Sequence, residues 1–83
     1  MKLPIGVAVK LKRSGYSKGT PDILIFEPRG SYHGLFIELK TAKGRISAEQ
    51  LYWLEELIHR GYAAMVCRSF DEARGEIETY LAL

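Results

Sequence analysis

Cysteine is almost missing from this chain: Cys67 is the single one, so no disulfide can close within it. A lone thiol in an apolar run fits a reducing compartment, and a cytoplasmic setting is expected. Long apolar runs are missing too, which leaves no candidate for a signal peptide or a membrane span. The two histidines, His33 and His59, stand too far apart in the sequence to suggest a zinc-type site. Acidic residues are absent before Asp22, although Lys2, Lys10, Lys12, Arg13 and Lys18 all fall in that stretch. There is no internal repeat, low-complexity tract or linker.

What is present is the content of one small globular domain, residues 1–83, with 47% hydrophobic and 27% charged residues. A chain of this length buries only roughly 60–65% of its unfolded surface, so a dimer would give its core more to bury. The formal charge of +2 conceals a strong asymmetry. Residues 1–45 carry nine Lys/Arg against three acids, whereas residues 46–83 carry three Arg against seven acids. Lys12–Lys18, with Gly15 and Tyr16 inside it, reads as a basic loop. Alone it would be an ordinary solvated surface, but near a carboxylate cluster it suggests contact with phosphates.

Hydrophobic periodicity sets out six elements. Ile5, Val7, Val9 and Leu11 alternate with Gly6, Ala8 and Lys10 and predict a strand with one face buried. Ile23–Phe26 and Leu35–Leu39 are β-branched and aromatic runs, with Pro28, Gly30 and Gly34 as turn residues between them. Arg29, Tyr32 and His33 in that turn are expected to cap the hairpin. Ser47 with Gln50 makes a capping box, flanked by Ile46 and Leu51, and starts a helix over 47–59. Leu51, Leu54, Leu57 and Ile58 are its expected inner face. His59, Arg60 and Gly61 end it. Tyr62–Cys67 is a further strand. Ser69 with Glu72 opens a last helix, whose inner face is Ala73, Ile77, Tyr80 and Leu81. The βαβ unit from Leu35 to Cys67 should be parallel and right-handed, and the earlier strands add an antiparallel part. The expectation is an α/β fold with a mixed four-stranded sheet, in the order strand, strand, strand, helix, strand, helix.

Chemistry concentrates at the ends of two of these strands. Asp22 begins one, and Glu38 and Lys40 share a face near the end of the other, because alternate strand residues point the same way. Pairing of the two strands brings Asp22 to the sheet end that holds Glu38. Two carboxylates and a lysine there could hold a divalent cation and carry phosphodiester chemistry. Each residue also has a plainer reading: Asp22 as a turn residue after Pro21, and Glu38 with Lys40 as an exposed pair of small energetic weight.

The spacing Pro21-Asp22, fifteen residues, then Glu38-Leu39-Lys40 resembles the PD-(D/E)XK nuclease motif. The flanking wording, GTPDILIF, FIELKTAKGRISAEQLYWLEEL and GYAAMVCRSFDEA, resembles the virus-type replication-repair nuclease (VRR-NUC) branch of that superfamily. That resemblance implies a restriction-endonuclease-like αβββαβ core. The usual core opens with a helix bearing a metal-binding glutamate; with no acid before Asp22, a core lacking that helix is expected. The resemblance further implies Mg²⁺ or Mn²⁺ held by Asp22, Glu38 and the backbone carbonyl of Leu39. Lys40 would orient the attacking water or stabilise developing charge, and Gln50 would position water or phosphate. Gln50 is also fully accounted for as a capping residue.

Lys10, Lys12, Arg13, Lys18, Lys43 and Arg45 are the expected DNA contacts. The function so implied is structure-specific cleavage of branched DNA, such as a four-way junction, by a homodimer in a bacterial or phage-infected cell. The alternatives are a weakened domain that binds DNA without cutting, a nuclease acting on other ends or flaps, and an interaction module with incidental charges.

Overall fold

The computed structural model describes residues 9–11, as strand backbone, and residues 21–83. Its elements are β1 (Val9–Leu11), β2 (Ile23–Ile25), β3 (Leu35–Leu39), α1 (Ala48–His59), β4 (Ala63–Cys67) and α2 (Phe70–Leu81). The strands form one sheet in the order β1-β2-β3-β4. The first two pairings are antiparallel and β3 with β4 is parallel. This is the mixed sheet expected from the sequence. Two strands stop one residue short of expectation: β2 ends before Phe26, and β4 begins after Tyr62, within the ordinary scatter of strand ends.

Alternation sorts the sheet residues to two helices. Ile23, Ile25, Leu35, Ile37 and Cys67 pack with Ala73, Ile77 and Tyr80 of α2. Leu24 and Phe36 face the other way and pack with Leu57 of α1, joined by Trp53, Tyr62 and Ala64. Burial on both faces explains why β2 and β3 read as continuous apolar runs rather than as alternating ones. Even-numbered residues of β2 and β3 therefore look towards α1, and Glu38 is among them.

The inner face of α1 departs from expectation. Leu54 and Leu57 are buried as anticipated, but Leu51 and Ile58 stand 50% and 55% exposed. At about 100° per residue, Trp53, Leu57, Gln50 and Leu54 form one stripe, and Leu51 and Ile58 lie roughly 40–60° beyond its edge. Trp53, not Leu51, completes the seam. The helix starts as expected: Ser47 Oγ accepts from Gln50 N–H, and Gln50 Oε1 accepts from Ser47 N–H. In α2 the bond from Glu72 N–H to Ser69 Oγ forms, while the Glu72 side chain lies against the Cys67 thiol.

The far end of the sheet is tied down separately. Gly61 closes α1 at φ 93°, a conformation open to glycine at little cost, and its Cα approaches the His33 ring so closely that a Cβ would collide. Arg29 Nη1 donates to the Leu81 carbonyl at 2.8 Å, and Tyr80 Oη donates to the Glu27 carbonyl at 2.6 Å. The 28–34 turn thus docks onto the end of α2. Arg29, Tyr32 and His33 do belong to the hairpin turn, at the opposite end of β3 from Glu38. The expected strand residues before Val9, and the 12–20 loop, lie outside the described residues, as does the stretch on which the missing-helix expectation rests.

Candidate active site

The β2–β3 register pairs Ile23 with Ile37, so one step outward places Asp22 opposite Glu38. Strand pairing stops at Ile23, and the site arises from that break. Leu39 still has an N–H pointing towards the β2 side, with no β2 strand residue left to accept it. Asp22 supplies the acceptor: its Oδ2 takes the Leu39 N–H at 2.9 Å. On the other side of the chain Lys40 N–H continues the parallel ladder to the Cys67 carbonyl at 2.9 Å. The N–H and carbonyl of one strand residue leave on the same side, so the Leu39 carbonyl shares the Asp22 side of β3. Asp22 is therefore more than a turn residue, because it fixes the end of β3.

Glu38 is 2% exposed, which rules out the reading of an exposed pair. A carboxylate so buried needs compensation. Gln50 Nε2 donates to Glu38 Oε2 at 2.8 Å, and Lys40 Nζ lies 3.9 Å from the same oxygen. Lys40 is itself mostly covered, its side chain 18% exposed. The first turn of α1, whose free N–H groups carry partial positive charge, supplies Gln50 and so faces this carboxylate. Gln50 reaches it because it is the first member of the inward stripe 50, 53, 54, 57. The capping reading and the site reading of Gln50 turn out to be compatible: its amide oxygen caps the helix and its amide nitrogen holds Glu38.

Asp22, Glu38, Leu39, Lys40 and Gln50 are thus brought together at one sheet end. Lys43 and Arg45 sit exposed in the loop that leaves it. That loop is braced by Arg68, which sequence patterning did not single out. Arg68 Nη1 donates to the Thr41 carbonyl at 3.0 Å and also to the Gly44 carbonyl. The signal was available: a parallel βαβ unit puts the residues after Cys67 beside those after Leu39. Lys10 lies in β1, paired with Leu24. Lys12, Arg13 and Lys18 lie outside the described residues.

The donors available here are carboxylate and carbonyl oxygens, the set preferred by Mg²⁺ and Mn²⁺ over softer metals. No cluster of three or more His, Cys, Asp or Glu side chains able to hold a metal occurs among the described residues. Two carboxylates and a carbonyl nonetheless suit Mg²⁺, which keeps several of its waters. His33, packed edge-on to Tyr62 at 5.5 Å, is occupied at the far end of β3.

Comparison with known proteins agrees with this fold. The VRR-NUC domain matches residues 2–71. The chain belongs to the VRR-NUC family. Its domain is accordingly a nuclease domain of the PD-(D/E)XK type. A solved structure described as a VRR-NUC domain protein superposes with a TM-score of 0.84 at 30% identity, covering 90% of this chain and 68% of that one. A search of curated proteins returned no match. No helix among the described residues of this VRR-NUC chain is long and apolar enough to cross a membrane.

Proposed function

We propose that this VRR-NUC domain is a divalent-metal-dependent endonuclease that hydrolyses phosphodiester bonds in branched DNA, four-way junctions included. The observation that carries the reading is the Asp22 carboxylate bound to the backbone of Leu39, directly across the sheet from the buried Glu38. Asp22, Glu38 and the Leu39 carbonyl would hold one Mg²⁺ or Mn²⁺. Such a cation, when bound, neutralises charge on the scissile phosphate and lowers the pKa of the attacking water.

The chain's own residues do the rest. Gln50 keeps Glu38 oriented by donating to Oε2. Lys40, tethered loosely to the same oxygen, has an ammonium that can swing to the attacking water or to the phosphate as negative charge develops. Lys43 and Arg45 contact the DNA backbone from the braced loop, with Lys10, Lys12, Arg13 and Lys18 as further contacts.

A homodimer suits this reading. Leu51, Tyr52 and Ile58 leave apolar area on the outer side of α1, and a two-fold interface there would present two sites to the two symmetry-related strands of a junction. The test is cleavage of a four-way junction and of a linear duplex of matched sequence with Mg²⁺, Mn²⁺ or EDTA. Symmetric nicks in the junction, dependent on metal and lost in Asp22→Ala, are expected. Tight junction binding with no cleavage under any metal would instead identify a domain that binds DNA without cutting.

A further inference from the structure

We propose that Phe70 is a stacking platform for an unpaired nucleobase of the bound strand, in a cleft next to the candidate metal site. The inference deepens the function proposed above and rests on its reading of the ligand as DNA.

The cleft arises from the sheet. Leu39 pairs with Cys67 in parallel register, so both strands end at the same level. Leu39, Lys40 and Thr41 then form one wall and Arg68, Ser69 and Phe70 the other, around a cleft of about 340 Å³. Open α/β sheets bind ligands at this position, outside the carboxyl ends of their strands, and the volume falls within the range of small-molecule sites. The lining carries two cations and no acid. Of the acids farther along the chain, Asp71 forms an exposed pair with Arg74 at 3.4 Å, and Glu72 and Glu76 lie near Cys67. Arg68, fastened to the Thr41 and Gly44 carbonyls, keeps the two walls in place.

Phe70 is out of place as a structural residue. It continues the inward stripe of α2, since 70, 73, 77 and 80 recur at helical spacing, and Ala73, Ile77 and Tyr80 are all buried. Yet Phe70 is 81% exposed, more than any other large hydrophobic residue among those described. The last strand ends at Cys67, and Phe70 is the first residue of α2. Two other exposed aromatics, Phe26 and Tyr32, lean on neighbours: Phe26 meets Phe36 at 6.1 Å and Tyr32 meets Tyr80 at 6.2 Å. Phe70 lines the same cleft as Lys40 and Arg68. A base inside a duplex has both faces covered by its neighbours, so the occupant is a base unstacked at a branch, flap or single-stranded end.

The experiment compares wild type, Phe70→Ala, Phe70→Leu and Phe70→Trp in EDTA, using a labelled oligothymidylate and a blunt duplex of equal length. Because Phe70 is exposed, all variants should melt with the wild type. Phe70→Ala and Phe70→Leu should weaken single-strand binding by about tenfold, as loss of one base stack implies, while duplex binding holds and Phe70→Trp restores the affinity. Equal binding by Phe70→Ala, or equal losses on strand and duplex, overturns the inference. So does a change confined to the mass of the protein without DNA, which would make Phe70 a protein contact. Cleavage by the wild type with Mn²⁺ is scored separately. Retained cleavage with an unaffected Phe70→Ala removes only the stacking role, and absent cleavage with an intact Phe70 effect removes only the nuclease reading.

Discussion

Gln50 donates its amide N–H to Glu38 Oε2 at 2.8 Å while its amide oxygen accepts the Ser47 N–H at 2.9 Å. One side chain thereby locks the start of α1 and the orientation of a buried carboxylate. The start of the helix and the site therefore meet in one side chain.

Replacing Gln50 distinguishes the two roles. Gln50→Ala loses both bonds and should cost about 1 kcal/mol in stability through the helix cap alone, with loss of cleavage. Gln50→Glu keeps a capping oxygen but sets a second carboxylate against Glu38, so one of the pair is driven to hold a proton. The new group's folded pKa is raised, so its penalty is absent at low pH and appears as pH rises through the carboxylate range. Thermal melts at pH 5 and pH 8 should show Gln50→Glu closer to wild type at pH 5. The same gap at both pH values would refute the contact with Glu38.

Asp22 offers a cleaner separation of charge from backbone support. Asp22→Asn retains an oxygen for the Leu39 N–H, so its melting temperature should stay near that of the wild type. Asp22→Ala leaves that donor without its acceptor and should cost about 1–3 kcal/mol. Both should abolish Mn²⁺ binding in calorimetry. Undiminished Mn²⁺ affinity in Asp22→Asn would remove Asp22 from the metal site.

Lys40→Ala should remove cleavage and leave junction affinity within a few-fold, because one cation among many phosphate contacts contributes little to binding. Gel-shift and nicking assays on the same preparation decide this. Affinity falling in step with cutting would make Lys40 a phosphate anchor.

The buried Cys67 thiol should make stability fall at alkaline pH. Burial, with Glu72 and Glu76 nearby, pushes its thiol from 9.0 up to about 11. The folded state therefore keeps a proton that the unfolded chain gives up. Its contribution is fully present below about pH 9 and is lost as pH rises to about 11, a difference of roughly 2–3 kcal/mol. Burial raises the Tyr80 phenol also, in the same direction. Urea melts between pH 8 and 11 should show this decline, and Cys67→Ala should make it shallower, leaving the share of Tyr80. An equal slope in that variant would assign the decline elsewhere. In the same range Cys67 should resist alkylation until the protein unfolds.

Light scattering at micromolar concentration, with and without junction DNA, tests the dimer. Leu51→Glu with Ile58→Glu should yield monomers, since both side chains lie outside the core stripe of α1 and a charge there meets water once the subunits part. A mass near 9.4 kDa for the wild type in both conditions, with cleavage intact, would rule out paired cutting by a dimer.

Local chemistry alone marked most of the elements and the chief site residues. The capping box at Ser47, the continuous apolar runs of β2 and β3, and the glycine ending at Gly61 depend on neighbours within a few positions, so they were legible from the sequence. So was the convergence of Asp22 with Glu38, because a hairpin joins their strands. Tertiary structure decided what depends on how far an element extends and how it is turned. Helical spacing could not tell that α1 seats Trp53 in the core and leaves Leu51 and Ile58 outside, because both stripes are apolar and only the sheet beneath selects between them. Nor could it tell that Gln50 serves the cap and Glu38 together, which requires that same rotation. Phe70 has the phase of a core residue, yet it stands exposed in a cleft beyond the end of β4, and helical spacing carries no record of where a neighbouring strand stops.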